Sequence, residues 1–185
     1  SQIKLLEKFL KKKKIPFLIT REPGGTNLAE SLRNLILRKN SNINIDEEIL
    51  MLMAARSHHI NQVIKPAIHK GKLVISDRFA DSTFVYQGYV NKYGINNAVK
   101  LHKNLIDNFL PKKTFLFQLS TNNILKRLKK RKSKNKYDKL DKKFHDDVNK
   151  GYKIISNNKR FIKIDASKSI SYIHKNIINH LNSLI

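Results

Sequence analysis

Apolar residues along this chain follow two alternating rhythms. Four short stretches are apolar at most positions: "IPFLIT" (15–20), "KLVISD" (72–77), "KTFLFQLS" (113–120) and "RFIKIDAS" (160–167). A stretch apolar on both faces suits a buried strand of a parallel sheet. Between these stretches the apolar positions recur at helical spacing. "QIKLLEKFLKK" carries them at 3, 5, 6, 9 and 10, and "NLAESLRNLILRK" at 28, 32, 35 and 36. "DEEILMLMAARSHHINQVI" (46–64) opens on acids, which favour a helix N-terminus, and Asp46 fits the N-cap. Further helices are predicted over 96–109, 121–131, 140–157 and 169–184. Strands alternating with helices predict an α/β fold, a parallel sheet flanked by helices. No repeat and no linker divides the chain, so 1–185 reads as a single domain, long enough to bury a sizeable core.

Composition adds a charge problem. The formal net charge is +24. One reading is a polyanionic partner, because basic surfaces collect on nucleic acid by counterion release. The other is codon drift. The chain has 30 Lys, 20 Asn and 23 Ile against 7 Ala, 8 Arg, 6 Gly and 4 Pro, the signature of A/T-rich codons, and its lysines are scattered. Few aromatic residues interleave with the basic stretches, so no base-stacking platform is evident and nucleic acid is not the expected partner. "KKKK" (11–14) reads as the solvated last turn of the first helix, where cations are favourable. "LKRLKKRKSKNKYDKLDKK" (125–143) is too polar for a core and reads as a helix end and mobile loop leading into another helix. There is no cysteine, which excludes a disulfide framework and thiolate metal sites and fits a reducing compartment. No apolar run approaches membrane-spanning length, and "SQIKLLEKFLKKKK" lacks a signal-peptide pattern, so the expectation is a soluble cytoplasmic protein.

A chain that writes most basic residues as Lys makes each Arg informative, because only the guanidinium offers a planar two-pronged donor for phosphate or carboxylate. "VISDRF" (74–79) sets Asp77 and Arg78 just past a strand end, where parallel α/β sheets bind ligands. Asp77 there either holds Mg²⁺ through water or forms a structural ion pair with Arg78. "TREPGG" (20–25) ends the preceding strand and opens onto the same edge. It is either a stiffened turn or a place where glycine lets the backbone approach an anion. Arg21 within it stands between a ligand contact and a local ion pair. "DSTFVYQG" (81–88) adds two hydroxyls, a tyrosine and a glutamine able to pair with a base edge. His58–His59 reads as a surface or core pair, not a ligand set. "FHDD" (144–147) has metal-ligating residue types, but successive residues on a helix diverge.

Taken in order, "TREPGGT", "LR", "AAR", "DR" and "STFVYQG" resemble bacterial-type thymidylate kinases over nearly the whole chain. The resemblance implies the nucleoside-monophosphate-kinase form of the P-loop NTPase fold, with a five-stranded parallel sheet, a phosphate loop and a basic lid, here about 127–143. It implies phosphoryl transfer from ATP to dTMP with Mg²⁺, and a homodimer packed through helices. By the same resemblance Glu22, Pro23 and Gly24 form the strand-end loop near the phosphates. Arg33 contacts the dTMP phosphate and sugar side, and Arg56 a thymine carbonyl. Arg78 holds the acceptor phosphate. Ser82, Thr83 and Gln87 line the base pocket, and Tyr86 lies under the deoxyribose. Asp77 and Glu22 are the implied metal-side acids. Arg127, Arg131 and Lys139, with Lys129 and Lys130, fall in the lid toward ATP, Arg78, Arg131 and Lys139 being the implied catalytic cations. Lys139 stands where the pattern has arginine. Phosphoryl transfer to an ionised phosphate needs positioning and charge neutralisation, not a general base, which fits the lack of a catalytic His or Cys constellation.

Two departures qualify the resemblance. It implies a first strand and a "GxxxxGK[ST]" loop ahead of the first helix, and neither occurs here, so Ser1 matches the loop's last hydroxyl. The expectation is a working protein extended by about twenty residues upstream of Ser1 to include that loop, with an inactive remnant as the alternative. The second departure is Leu52, four residues before Arg56, where the family stacks an aromatic ring on thymine. Leu52→Phe is expected to tighten dTMP binding in a calorimetric titration, and unchanged or weaker binding counts against this assignment.

Overall fold

The computed structural model describes residues 2–38, 42–130 and 137–183, and of Lys139 only the backbone. Helix α1 (Gln2–Lys12) leads into β1 (Phe17–Arg21), followed by α2 (Asn27–Leu37). Helix α3 (Ile45–His59) continues through a π-helical segment (Ile60–Ile64) into α4 (Lys65–His69) and β2 (Leu73–Asp77). Next come α5 (Ala80–Thr83), a second π-helical segment (Phe84–Val90) and α6 (Ile95–Ile106). Strand β3 (Thr114–Gln118), α7 (Thr121–Lys129), a short 3₁₀ turn (Tyr137–Lys139), α8 (Lys142–Ile155), β4 (Phe161–Asp165) and α9 (Ile170–Leu181) complete the order. No helix among the described residues is long and apolar enough to cross a membrane.

The four strands lie where the apolar runs predicted them, and the α/β class with parallel strands flanked by helices holds. The strands form two parallel pairs, β1 with β2 and β3 with β4. The five-stranded sheet implied by the resemblance is therefore represented by two ladders. Neither β2 nor β3 bonds to the other, and the strand implied ahead of α1 is not among these residues.

Strand periodicity explains the layers. Leu73 and Ile75 face one side of the first pair with Phe17, packing on Leu6 and Leu10 of α1 and Leu181 of α9. Val74 points the other way, onto the cluster of Ile49, Met53, Ile60, Phe84 and Ile106. Full burial of Leu10 alone contributes roughly 2 kcal/mol. Helix α9 also covers the second pair, Ile173 and Ile177 meeting Ile164, Phe115 and Ile162. A partly buried ion pair ties the second strand pair to a helix. Asp81 of α5 accepts from Arg160 at 2.6 and 2.8 Å, and Arg160, just ahead of β4, also meets Thr114 of β3.

Several local expectations shift. The N-cap of α3 is Asn44, not Asp46. Asn44 accepts from the Glu47 amide at 2.9 Å while the Glu47 carboxylate accepts from the Asn44 amide at 2.8 Å, a reciprocal capping box. Asp46 and Glu48 fall in the first turn instead. The "DSTFVYQG" stretch, which carried no helical expectation, is helical throughout because Ala80, Thr83, Phe84, Val85 and Gln87 all bury against neighbouring helices.

His102 of α6 is fully enclosed, its Nε2 3.1 Å from the Phe109 carbonyl and its ring edge-on to Phe84. Burial, and after it the Arg56 charge, pushes this imidazole below its ordinary value. The folded state thus favours neutral His102. Its contribution to stability is complete above the unfolded imidazole pKa and is lost as pH falls through the lower folded value. Between pH 8 and pH 5 the melting temperature of the wild type is expected to fall more steeply than that of His102→Phe. Parallel slopes in a thermal-melt series would falsify this assignment.

Candidate active site

Strands β1 and β2 end together, with Arg21 opposite Asp77, and the Glu22 amide donates to the Asp77 carbonyl at 3.1 Å. The two strand-end loops therefore open on one edge. At Gly25 the backbone takes φ +86°, and a Cβ there would lie 2.5 Å from His59 Nε2 and 2.8 Å from Thr20 Oγ1. Only glycine fits both the dihedral and the space. Thr26 then caps α2, accepting from the Ala29 amide, and its hydroxyl also lies 3.0 Å from His58 Nδ1.

This tight turn sends the Glu22 side chain inward, where it is 4% exposed. Arg56 Nε donates to Glu22 Oε2 at 2.7 Å, and His59 Nδ1 lies 3.1 Å from Oε1. An ionised carboxylate only accepts, so His59 carries its proton on Nδ1, with Nε2 2.7 Å from the Thr20 hydroxyl. The Arg56 guanidinium also donates to Thr83 Oγ1 at 2.8 Å and approaches Met53 sulfur at 3.6 Å, with Phe79 beneath it. A guanidinium held on three sides is fixed in place, keeps two N–H groups uncommitted and lines the cleft.

Nearer the rim, cations crowd. Arg33 donates to the Pro23 carbonyl at 3.0 Å. Burial, then the Arg21 charge, pushes its guanidinium below the ordinary value, with Arg78 acting in the same sense and Glu30 and Asp77 opposing. Mutual repulsion of this kind is relieved by a bound anion. Arg78 sits at φ +71°, an uncommon conformation for a non-glycine residue. Its Nε donates to Ser82 Oγ at 3.1 Å, and its guanidinium carbon lies 4.7 Å from the Tyr86 ring centroid. Ser82 Oγ is 3.2 Å from the Tyr152 hydroxyl, whose phenol burial pushes up to about 12. Arg21 is taken up by Glu30 in a two-pronged pair at 3.0 Å to each oxygen, which decides it as a local ion pair.

At the inner end, Gln87 Nε2 donates to Glu48 Oε1 at 2.6 Å, and the Tyr137 hydroxyl donates to the same oxygen at 2.6 Å. Burial and the adjacent Glu48 charge push the Tyr137 phenol well above its ordinary value, so it remains a donor. Tyr137 packs on Tyr86 and Phe144, which links the turn after the basic stretch to the cleft.

The cleft is open to solvent, with a cavity volume of about 80 Å³, smaller than a closed small-ligand pocket. Glu22, Pro23, Arg33, Leu52, Arg56 and Arg78 line it from the β1 loop, α2, α3 and the β2 loop. Ser82, Thr83, Tyr86 and Gln87 complete the opposite wall. Gly24 is outside this lining, and its missing Cβ would meet Glu30. Asp77 is exposed at the strand end. Glu22, given a metal role from sequence, has both oxygens engaged by Arg56 and His59 instead, so it does not suit an ion. Arg127 donates to the Ala166 carbonyl at 2.8 Å, beside the second strand pair. Ser1 and Arg131 lie outside the described residues, as does the side chain of Lys139. In "FHDD", Asp146 accepts from Thr121 and Asp147 pairs with Lys150, and no cluster of three His, Asp or Glu suited to a metal exists among the described residues.

Sequence reasoning missed four residues of the site, two of which, Phe79 and Tyr137, line the cleft while the other two hold lining residues from behind. His59 was set aside as one of a pair, and Glu48 as one of three acids at a helix start. Tyr137 was hidden in the basic stretch, and Phe79 was passed over beside "DR". Only the coincidence of Tyr137 with the end of the lysine run offered a signal.

A family model described as thymidylate kinase matches residues 1–177. Thymidylate kinase of Halothermothrix orenii is 34% identical over 188 aligned positions, covering 100% of this chain and 91% of that protein. The thymidylate kinase of Thermoanaerobacter sp. (strain X514) is 36% identical, covering 97% of this chain and 89% of its own length. That of Mycoplasma capricolum subsp. capricolum is 40% identical over 87% of this chain and 78% of the relative.

Removing one member of a buried ion pair leaves the other charge unpaired, at a cost of about 3–5 kcal/mol. Glu22→Ala is therefore expected to lose about 3 kcal/mol or more in urea unfolding, and Glu22→Leu combined with Arg56→Met to recover much of it. A loss within the error of the extrapolation for Glu22→Ala refutes the assignment.

Proposed function

The chain belongs to the thymidylate kinase family, and from that premise we propose that it transfers the terminal phosphoryl group of ATP to the phosphate of dTMP, giving dTDP and ADP. One observation carries the reading. The arginines of three separate sequence motifs converge on one cleft, two at its rim and one held rigidly inside.

The division of labour follows from the geometry. Arg33 and Arg78 at the rim suit the acceptor phosphate, whose charge offsets their mutual repulsion. Tyr86 beside Arg78 suits the sugar. Leu52, Arg56, Thr83 and Gln87 suit a thymine ring, apolar on its face and polar on its edge. The ionised phosphate oxygen of dTMP is itself the nucleophile. The protein therefore positions it in line with ATP and neutralises the developing charge, with Arg78 touching the acceptor group. Donor-side contacts fall to Arg127 and to the lid cations Arg131 and Lys139. Of the two acids assigned to Mg²⁺, Asp77 fits, exposed at the strand end beside the arginine-lined rim. The ion, when bound, neutralises phosphate charge. Exposed apolar residues on neighbouring helices, Leu28 and Leu35 of α2 and Leu50 of α3, support pairing of two copies through helix faces. Its substrates are cytoplasmic nucleotides, which supports a cytoplasmic site of action.

Thermal unfolding with and without dTMP tests the acceptor site by itself. At one hundred times the dissociation constant, dTMP is expected to add about 2.7 kcal/mol of stability. An ADP-release assay with ATP and Mg²⁺, on a protein carrying the phosphate loop, tests transfer. There Arg78→Ala is expected to lower kcat/KM by about 10²- to 10³-fold. No stabilisation by millimolar dTMP would reject the proposal.

A further inference from the structure

Arg56 and Gln87 both present polar groups to the inner cleft, and each leans on its own buried carboxylate. Glu22 holds Arg56. Glu48, 5% exposed on the first turn of α3, stands behind Gln87, which is 4% exposed. The amide of Gln87 is ambiguous by chemistry, since its two ends are a donor and an acceptor of similar shape. Glu48 removes that ambiguity. An acceptor oxygen 2.6 Å away tolerates only the NH₂ end. The second proton on Nε2 points toward the Tyr137 hydroxyl oxygen, 3.5 Å away, while that hydroxyl spends its own proton on Glu48. One amide proton is thus committed to Glu48 and the other faces the Tyr137 hydroxyl, itself part of the cleft wall. Gln87 Oε1 has no hydrogen-bond partner among the described residues, and Gln87 lines the cleft.

We propose that Glu48 is a positioning residue that turns the Gln87 carbonyl oxygen toward the pocket and so sets which pyrimidine the enzyme accepts. The inference rests on the dTMP reading above and deepens it. With Gln87 fixed as acceptor and Arg56 fixed as donor, the inner wall matches a ring bearing N3–H beside a C4 carbonyl. A cytosine ring presents the opposite pair, a lone pair at N3 and an amino group at C4. It meets lone pair against lone pair at Gln87 and donor against donor at Arg56. Buried polar groups left unpaired in this way give strong discrimination. Tyr137 belongs to the same device, because its phenol donates to the same Glu48 oxygen.

Glu48→Gln tests this with little change of shape. An amide at 48 can donate as well as accept, so it no longer dictates the orientation of Gln87. Calorimetric titration of the full chain with dTMP and with dCMP reads the selectivity. The wild type is expected to prefer dTMP strongly, and Glu48→Gln to narrow the preference by at least about tenfold. In a Gln87→Met background the same change at 48 should leave the ratio unmoved, since the group it orients is gone. A merely structural Glu48 would lower the affinity for both nucleotides together. A second readout needs only the wild type. The Gln87 side-chain NH₂ protons, followed by NMR hydrogen exchange, should be protected without ligand and equally protected with dTMP. Unchanged selectivity in a folded Glu48→Gln protein, or NH₂ protons that shift onto the ligand, overturns the inference alone. Failure of the wild type to bind dTMP at all overturns the dTMP reading, and this inference with it.

Discussion

The site depends on one buried ion pair, Glu22 with Arg56. Each charge is almost wholly removed from water, so each would be costly alone. Together they satisfy each other, and His59, Thr83 and Met53 take up further groups while leaving two Arg56 N–H groups uncommitted. The pair joins the end of β1 to the last turn of α3 and, through Thr83, to α5. Those are the elements that carry the cleft. Gly25 is the condition for it, because any side chain there would strike His59 and Thr20 and displace the carboxylate's second partner.

The same logic recurs at lower and higher exposure. Asp81 and Arg160, partly shielded, tie the cleft helix to the second strand pair. Arg21 and Glu30, exposed to solvent, add little energy, and Arg21 still repels Arg33 at the rim. Arg33 in particular is held below its ordinary value by burial and neighbouring cations, which an anion at the rim would relieve. Inside, the cleft offers polar groups suited to a neutral polar ring.

Much of this was legible in the residues. The four apolar runs are strands because a two-faced burial needs apolar side chains at every position, and that pattern survives without a structure. The acceptor wall was legible through "TREPGG", "DR" and "STFVYQG", whose rare arginines stand out in a lysine-rich chain. Less legible were the side chains that act on other side chains. Glu48 sits among three consecutive acids whose obvious use is to favour a helix start. Nothing local says that this one alone turns inward toward Gln87, thirty-nine positions away. His59 and Tyr137 were hidden for the same reason, since their partners are remote in sequence.

By itself, then, the sequence determined the order and kind of the elements, the edge on which the motifs would gather, and the family to which they belong. These follow from local patterning and from residue types that chemistry constrains. The tertiary structure alone decided which of several chemically equal groups does what. It committed Glu22 to Arg56 and not to a metal ion, bound Arg21 to Glu30, and moved the cap of α3 to Asn44. It also assigned the two ends of the Gln87 amide. Each choice turns on distances of 2.6 to 3.1 Å, across separations of 3 to 39 positions in the chain. A hydrogen bond is decided over tenths of an ångström, a precision that only the folded packing supplies.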